Sequence, residues 1–152
     1  MRDDLSPPQP GQLLARGAAR ALVDLGFAVV AEMPLRARLR ADLMALGPKG
    51  ELWIVECKSC RADFRADHKW QGYLDWCDRY FWAVDAAFPR DLLPEATGVI
   101  LADGYGGEIL RQGPEARLAP ARRKVVTLDF ARAAAQRLQA RLDPGAPRAG
   151  LL

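Results

Sequence analysis

Residues 52–58 read LWIVECK, four apolar side chains in a row that close on Glu56 and Lys58, two positions apart. A short apolar run of this kind predicts a strand entering a core. Side chains alternate along a strand, so Leu52, Ile54, Glu56 and Lys58 share one face. Upstream, residues 38–46 predict a second strand, and residues 47–50 (GPKG) between the two have turn composition. A hairpin centred on that turn opposes Leu46 to Leu52, Met44 to Ile54, Asp42 to Glu56 and Arg40 to Lys58. One face is then apolar near the turn and carries two carboxylates and a lysine at its far end. A slip of one residue would send Asp42 and Glu56 to opposite faces.

Two opposed carboxylates on a half-buried sheet repel each other and are costly to desolvate unpaired. A hard divalent cation, Mg2+ or Mn2+, resolves the conflict, because Mg2+ is commonly held by one or two carboxylates plus waters and phosphate oxygens. The main-chain carbonyl of Cys57 lies between Glu56 and Lys58 and offers a further ligand. Lys58 beside such a metal would orient a water or stabilise charge on a phosphate. The alternative is a structural cluster of ion pairs, Asp42 with Lys58 and Glu56 with Arg40.

The chain has 152 residues, 50% hydrophobic and 27% charged, with a net charge of +3, which fits one globular domain and permits a polyanionic partner without demanding one. The start is charged and proline-rich, and no stretch approaches the ~20 apolar residues of a membrane span. A cytoplasmic protein with reduced cysteines is the expectation, with no membrane partner. Residues 1–11 are expected to be a disordered lead-in, 12–142 the domain and 143–152 a flexible tail. Helical spacing covers residues 12–25, with Gly26 as the stop, followed by a strand at 27–31 ended by Pro34. Residues 59–66 read as a polar connection. A helix is expected over 67–78, with Trp70, Tyr73, Leu74 and Cys77 on one stripe. Strands follow at 80–84, 97–102 and 108–111, then a helix at 128–142. The fold expected is a mixed α/β sheet with helices packed against it.

An acidic residue late in one strand, Asp42, followed by an apolar strand ending in Glu56-Cys57-Lys58, resembles the PD-(D/E)xK nuclease superfamily, and the order α-β-β-β-α-β is similar to its restriction-endonuclease-like core. More narrowly, the stretch RADLMALGPKGELWIVECKSCRADFRADHKWQGYLDWCDRYFWAV, with GVILADGYGGEIL after it, resembles the MmcB family of bacterial DNA repair proteins over residues 12–140. The resemblance implies a metal-dependent phosphodiesterase acting on damaged or branched DNA. By the superfamily pattern Asp42 and Glu56 would ligate Mg2+ or Mn2+ and Lys58 would assist the water. Ala41 stands in place of the motif's proline, a departure that many superfamily members tolerate, and the only acid of the first helix is Asp24. Gln71 is similar to the glutamine of RecB-like nucleases, with Asp75 where a tyrosine would follow. The rival reading is a recruiting factor that keeps the fold and binds DNA without cutting it.

Several other groups invite a function. Arg40, Arg61, Arg65, His68, Lys69 and Gln71 are candidate DNA contacts, joined by Arg36 and Arg38 in a possible phosphate-tracking rim. Asp63 and Asp67 are expected nearer the site than Asp75 and Asp78, all four reading first as caps or a solvated face. Cys57-Lys-Ser-Cys60 has redox spacing, but such motifs open a helix, where the first thiol is acidified. Cys57, Cys60, His68 and Cys77 lack the paired short loops of structural zinc. Trp53, Trp70 and Trp82 read as core, leaving Trp76 as the candidate for base stacking. The absence of a sequence-reading motif points to recognition of DNA structure, alone, as a homodimer or with repair-protein partners.

Overall fold

The computed structural model describes residues 6–67 and 69–147. Its six strands are β1 (Ala28–Leu35), β2 (Leu39–Leu46), β3 (Leu52–Cys57), β4 (Arg79–Val84), β5 (Gly98–Ala102) and β6 (Gly107–Arg111), lying side by side in chain order. The first three form an antiparallel meander, β3, β4 and β5 run parallel, and β6 returns antiparallel to β5. Three α-helices accompany them: α1 (Pro10–Asp24), α2 (Arg61–Ala66) and α3 (Pro120–Leu142). This mixed α/β arrangement, a six-stranded sheet flanked by helices, is consistent with a restriction-endonuclease-like core.

Strand alternation sorts the core into two layers. Trp53 and Val55 of β3 and Phe81 and Ala83 of β4 pack with Leu14, Ala18 and Leu22 of α1. Leu52 and Ile54, with Tyr80, Trp82 and Val84, pack with Val126, Phe130 and Ala133 of α3 on the other face. α1 stops as expected: Gly26 at φ 88° lets Phe27 N–H reach the Leu22 carbonyl (3.0 Å) and Gly26 N–H the Val23 carbonyl (2.9 Å).

The β2–β3 register is the expected one, with Leu46 opposite Leu52 and Met44 opposite Ile54. Gly50 at φ 88° makes the connecting turn possible, its N–H donating to the Gly47 carbonyl at 3.0 Å. β1 runs straight through Pro34 to Leu35 instead of ending at residue 31. It is an edge strand, where the missing proline N–H costs no ladder bond. Alternation in the β1–β2 pair breaks at one level. Ala31 pairs with Leu43 and Met33 with Ala41, but Glu32, at φ 47°, and Asp42 between them are unpaired. Beyond that break Met33, Leu35, Leu39 and Ala41 join the α3-side core. Arg137 of α3 donates to the freed carbonyls of Ala31 and Glu32. The hairpin tip is thus bent across the α3 face, with Asp42 at the bend.

Three expectations need correction. The connection at 59–66 contains α2. The helix expected over 67–78 is a 3₁₀ segment, Trp70–Trp76. At three residues per turn, Trp70, Tyr73 and Trp76 fall on one line and pack on the core, while Leu74 is 42% exposed. Gly72 in mid-segment weakens the α-helical alternative. Finally, α3 begins at Pro120, eight positions before the expected start, with proline at its first turn where no amide donor is needed.

A candidate metal and nucleic-acid site at the sheet bend

Asp42 and Glu56 meet where the β2–β3 ladder ends. Glu56, only 5% exposed, accepts the Asp42 backbone N–H on Oε1 at 3.0 Å. Asp42 Oδ2 accepts the Cys57 N–H at 2.8 Å. Each carboxylate therefore caps a main-chain donor beside the other acid. The break in pairing at Glu32 is what leaves the Asp42 N–H free to turn toward β3. Burial pushes the Glu56 carboxyl up to about 8, with the Asp42 charge adding to the effect and Lys58 opposing it.

Lys58 continues the line of β3. Its N–H donates to the Ala83 carbonyl of β4 at 3.0 Å, while its ammonium lies 3.0 Å from Asp67 Oδ2, just past α2. Both side chains are largely shielded, 14% and 12% exposed. The Lys58 Nζ also sits 6.0 Å from the centre of the Trp82 ring. Asp42 does not pair with Lys58, nor Glu56 with Arg40, so the ion pairing weighed within the hairpin gives way to a partner from the connection between β3 and β4. Asp63 binds the Ser59 hydroxyl at 2.7 Å. Asp42, Glu56, Lys58, Asp63 and Asp67 line an open cleft of about 810 Å³.

Tyr73 closes one side of the cleft, its hydroxyl donating to the Arg40 carbonyl at 2.8 Å. Burial is the main reason its phenol is raised to about 12. Sequence reasoning assigned Tyr73 to core packing; its spacing of three from Trp70 and Trp76 was the available signal. Arg40 and Lys69 line the cleft, and so does Arg38. Arg61, Arg65 and Gln71 are exposed and do not line it. His68 lies outside the described residues.

Among the described residues no group of three or more His, Cys, Asp or Glu gathers to hold a metal ion. Cys77 is buried and donates its thiol to the Tyr73 carbonyl at 3.5 Å; burial raises it to about 12. Cys57 packs toward the α1 layer, and burial pushes its thiol well above the ordinary range, the opposite of an activated nucleophile. Cys60 is exposed at the start of α2, and all three are free thiols. The pair Asp42 and Glu56 falls short of a structural zinc set. Two carboxylates in one open cleft are a ligand set too small for structural zinc and of the kind that suits a hard cation keeping several waters.

Asp78 is another correction, since it is neither cap nor solvated. At 5% exposure it accepts Leu52 N–H (2.9 Å), Leu118 N–H (2.8 Å) and both terminal nitrogens of Arg123 (2.8 and 2.6 Å). It ties the start of β3 to α3, at the other end of β3 from the site. Trp76 is half-buried beneath the Arg122 guanidinium, 4.4 Å from its ring centre, so its face is already occupied.

A family model for MmcB-like DNA repair proteins matches residues 3–145. A solved structure, a protein of unknown function from Silicibacter pomeroyi, is 60% identical and superposes with a TM-score of 0.89 over 93% of this chain and 98% of its own. No curated protein matches the chain. The sheet bend, its paired acids and the family match over nearly the whole length lead to one conclusion: the chain belongs to the MmcB-like family of DNA repair proteins.

Proposed function

We propose that the protein is a divalent-metal-dependent deoxyribonuclease that hydrolyses phosphodiester bonds of damaged or branched DNA. The observation that carries the reading is the convergence of Asp42, Glu56 and Lys58 on one cleft, with Glu56 buried and its proton affinity raised. Isolated acids are rarely retained in a core without a compensating partner. Asp42 and Glu56, with the Cys57 carbonyl, would hold Mg2+ or Mn2+. When bound, the metal supplies Lewis-acid polarisation of the phosphate and a more acidic water.

The chain's own residues do the rest. Lys58, steadied by Asp67, stands ready to orient the attacking water and to offset charge developing on phosphate oxygens. Arg38, Arg40 and Lys69 around the cleft supply sequence-independent attraction for the DNA backbone. Such contacts suit recognition of DNA structure rather than base sequence. No helix among the described residues is long and apolar enough to cross a membrane.

A second reading rests on the Lys58–Asp67 ion pair: a lysine whose ammonium is already neutralised is less available to a phosphate. On that reading the protein binds DNA, and recruits repair partners to it, without cutting. The deciding experiment is Mg2+- and Mn2+-dependent cleavage of single-stranded, flapped, forked and duplex DNA by wild type, Asp42→Ala and Lys58→Ala. Cleavage abolished by both substitutions, with folding intact, supports the nuclease. Binding without cleavage by wild type favours the recruiting factor.

A further inference from the structure

A second cavity, of about 540 Å³, adjoins the cleft. Its walls are the β1–β2 turn and the later half of α3, brought together because the hairpin bends at Glu32 and Asp42. Arg38 lines both the cavity and the cleft, so the two form one continuous surface. The cavity floor is apolar, from Met33, Leu35 and Ala133, all buried. Its rim is basic: Arg36, Arg38 and Arg132 are exposed, against one acid, Asp129, which accepts Arg36 Nε at 3.2 Å. On the α3 wall, Gln136 presents a buried side-chain oxygen with no hydrogen-bond partner. The turn that forms the opposite wall holds Ala37 and Arg38 at φ 65° and 60°, a left-handed conformation that non-glycine residues rarely adopt. Strain of this kind persists where surrounding structure over-determines it and is common at binding sites.

An apolar floor, a guanidinium rim and one unsatisfied amide define an amphipathic ligand: a flat apolar body, a polar edge and an anionic flank. The volume lies within the ordinary range of small-ligand sites. A nucleotide has these three parts. Because Arg38 belongs to both hollows, the nucleotide would belong to the same strand that crosses the cleft. We propose that this cavity receives one unpaired nucleotide of the DNA strand next to the cleft. The base rests against Pro34 and Ala37 above that floor, its edge turns toward Gln136, and the flanking phosphates lie on Arg36, Arg38 and Arg132. The inference rests on the DNA reading above and deepens it. A base inside a duplex cannot reach such a pocket without leaving its stack, so single-stranded or flapped DNA is the preferred form.

The test uses the full chain in EDTA, so that nothing is cut, and fluorescein-labelled oligonucleotides read by anisotropy. A single abasic position is walked along a single strand. Wild type is expected to prefer single-stranded to fully paired DNA and to lose about fivefold or more in affinity at one abasic position only, the loss typical of a base removed from its platform. Gln136→Leu is expected to shrink that position-specific penalty. Arg132→Ala, at an exposed residue that does not threaten the fold, weakens binding at every position. Equal binding at all abasic positions, with overall affinity intact, overturns the nucleotide pocket and leaves DNA binding standing. No binding to any DNA overturns both.

Discussion

Glu56 gives the sharpest handle on the site. In the folded protein its carboxyl is raised to about 8, from an ordinary 4.5, chiefly by burial and then by Asp42. Between those two values the native state keeps a proton that the unfolded chain releases. The unfolded state therefore binds fewer protons, and stability falls as pH rises through that window. Each pH unit of separation is worth about 1.4 kcal/mol, so the full cost of ionising Glu56 is on the order of 5 kcal/mol. In metal-free buffer, wild type should lose about 3 kcal/mol between roughly pH 5.5 and 8.5 through this group. Glu56→Gln keeps a carbonyl to accept the Asp42 N–H but carries no titrating proton. Urea unfolding in EDTA at four pH values, for both proteins, isolates Glu56, because every other titrating group is common to the two. The expected result is a wild-type curve that falls with pH and a variant curve that is flatter by about 3 kcal/mol and more stable at the alkaline end. Parallel curves would refute the assignment of a buried, proton-holding Glu56.

Other outcomes follow from the same geometry. Mg2+ added at about pH 8 should raise the melting temperature of wild type by mass action and leave Asp42→Ala unmoved. At Asp78, burial pushes the carboxyl up, but hydrogen bonds from Arg123, Leu118 and Leu52 outweigh it and hold the group below its ordinary 3.8. That stability is present above the ordinary value and lost as pH falls through the folded one. Asp78→Asn should therefore cost about 3 kcal/mol near neutrality and remove part of the acid-unfolding limb, read by urea titration and an acid melt. A Cβ on Gly17 would sit 1.8 Å from the Asp103 carbonyl oxygen, so Gly17→Ala should cost about 2 kcal/mol or more in the same unfolding assay. Arg122→Ala should lose only about 0.5–1 kcal/mol, since the guanidinium over Trp76 is exposed, and should not alter DNA affinity by more than its charge.

The β2–β3 register was legible because an apolar face, once buried, forbids a slip and the GPKG turn fixes the phase. That was enough to set Asp42 and Glu56 together. The bend that frees the Asp42 N–H was not legible: Glu32, Ala37 and Arg38 adopt left-handed conformations that no glycine or asparagine announces, and long-range contacts from α3 hold them there. Lys58 finds Asp67 across a connection that read as polar loop and holds the short helix α2. Asp78 looked like surface because three of the four hydrogen bonds its carboxylate accepts come from sequence positions at least 40 away, and charge alone reveals no such partner. That Asp42 and Glu56 meet was readable from the hairpin register, but the main-chain donors that hold them were not.

The contact at Gly17 also orders events in time. α1 precedes the sheet in sequence, yet it is anchored to the turn before β6: Gly17 lies against Asp103, Arg16 Nε donates to the Gly104 carbonyl at 2.7 Å and Arg20 to the Tyr105 carbonyl at 2.9 Å. These partners lie 88 and 85 residues downstream. The apolar stripe of this helix is covered by β3 and β4, but its polar anchors are complete only once the turn before β6 has been made. Such long-range closure slows folding and exposes sticky surface to chaperones and proteases in the interval.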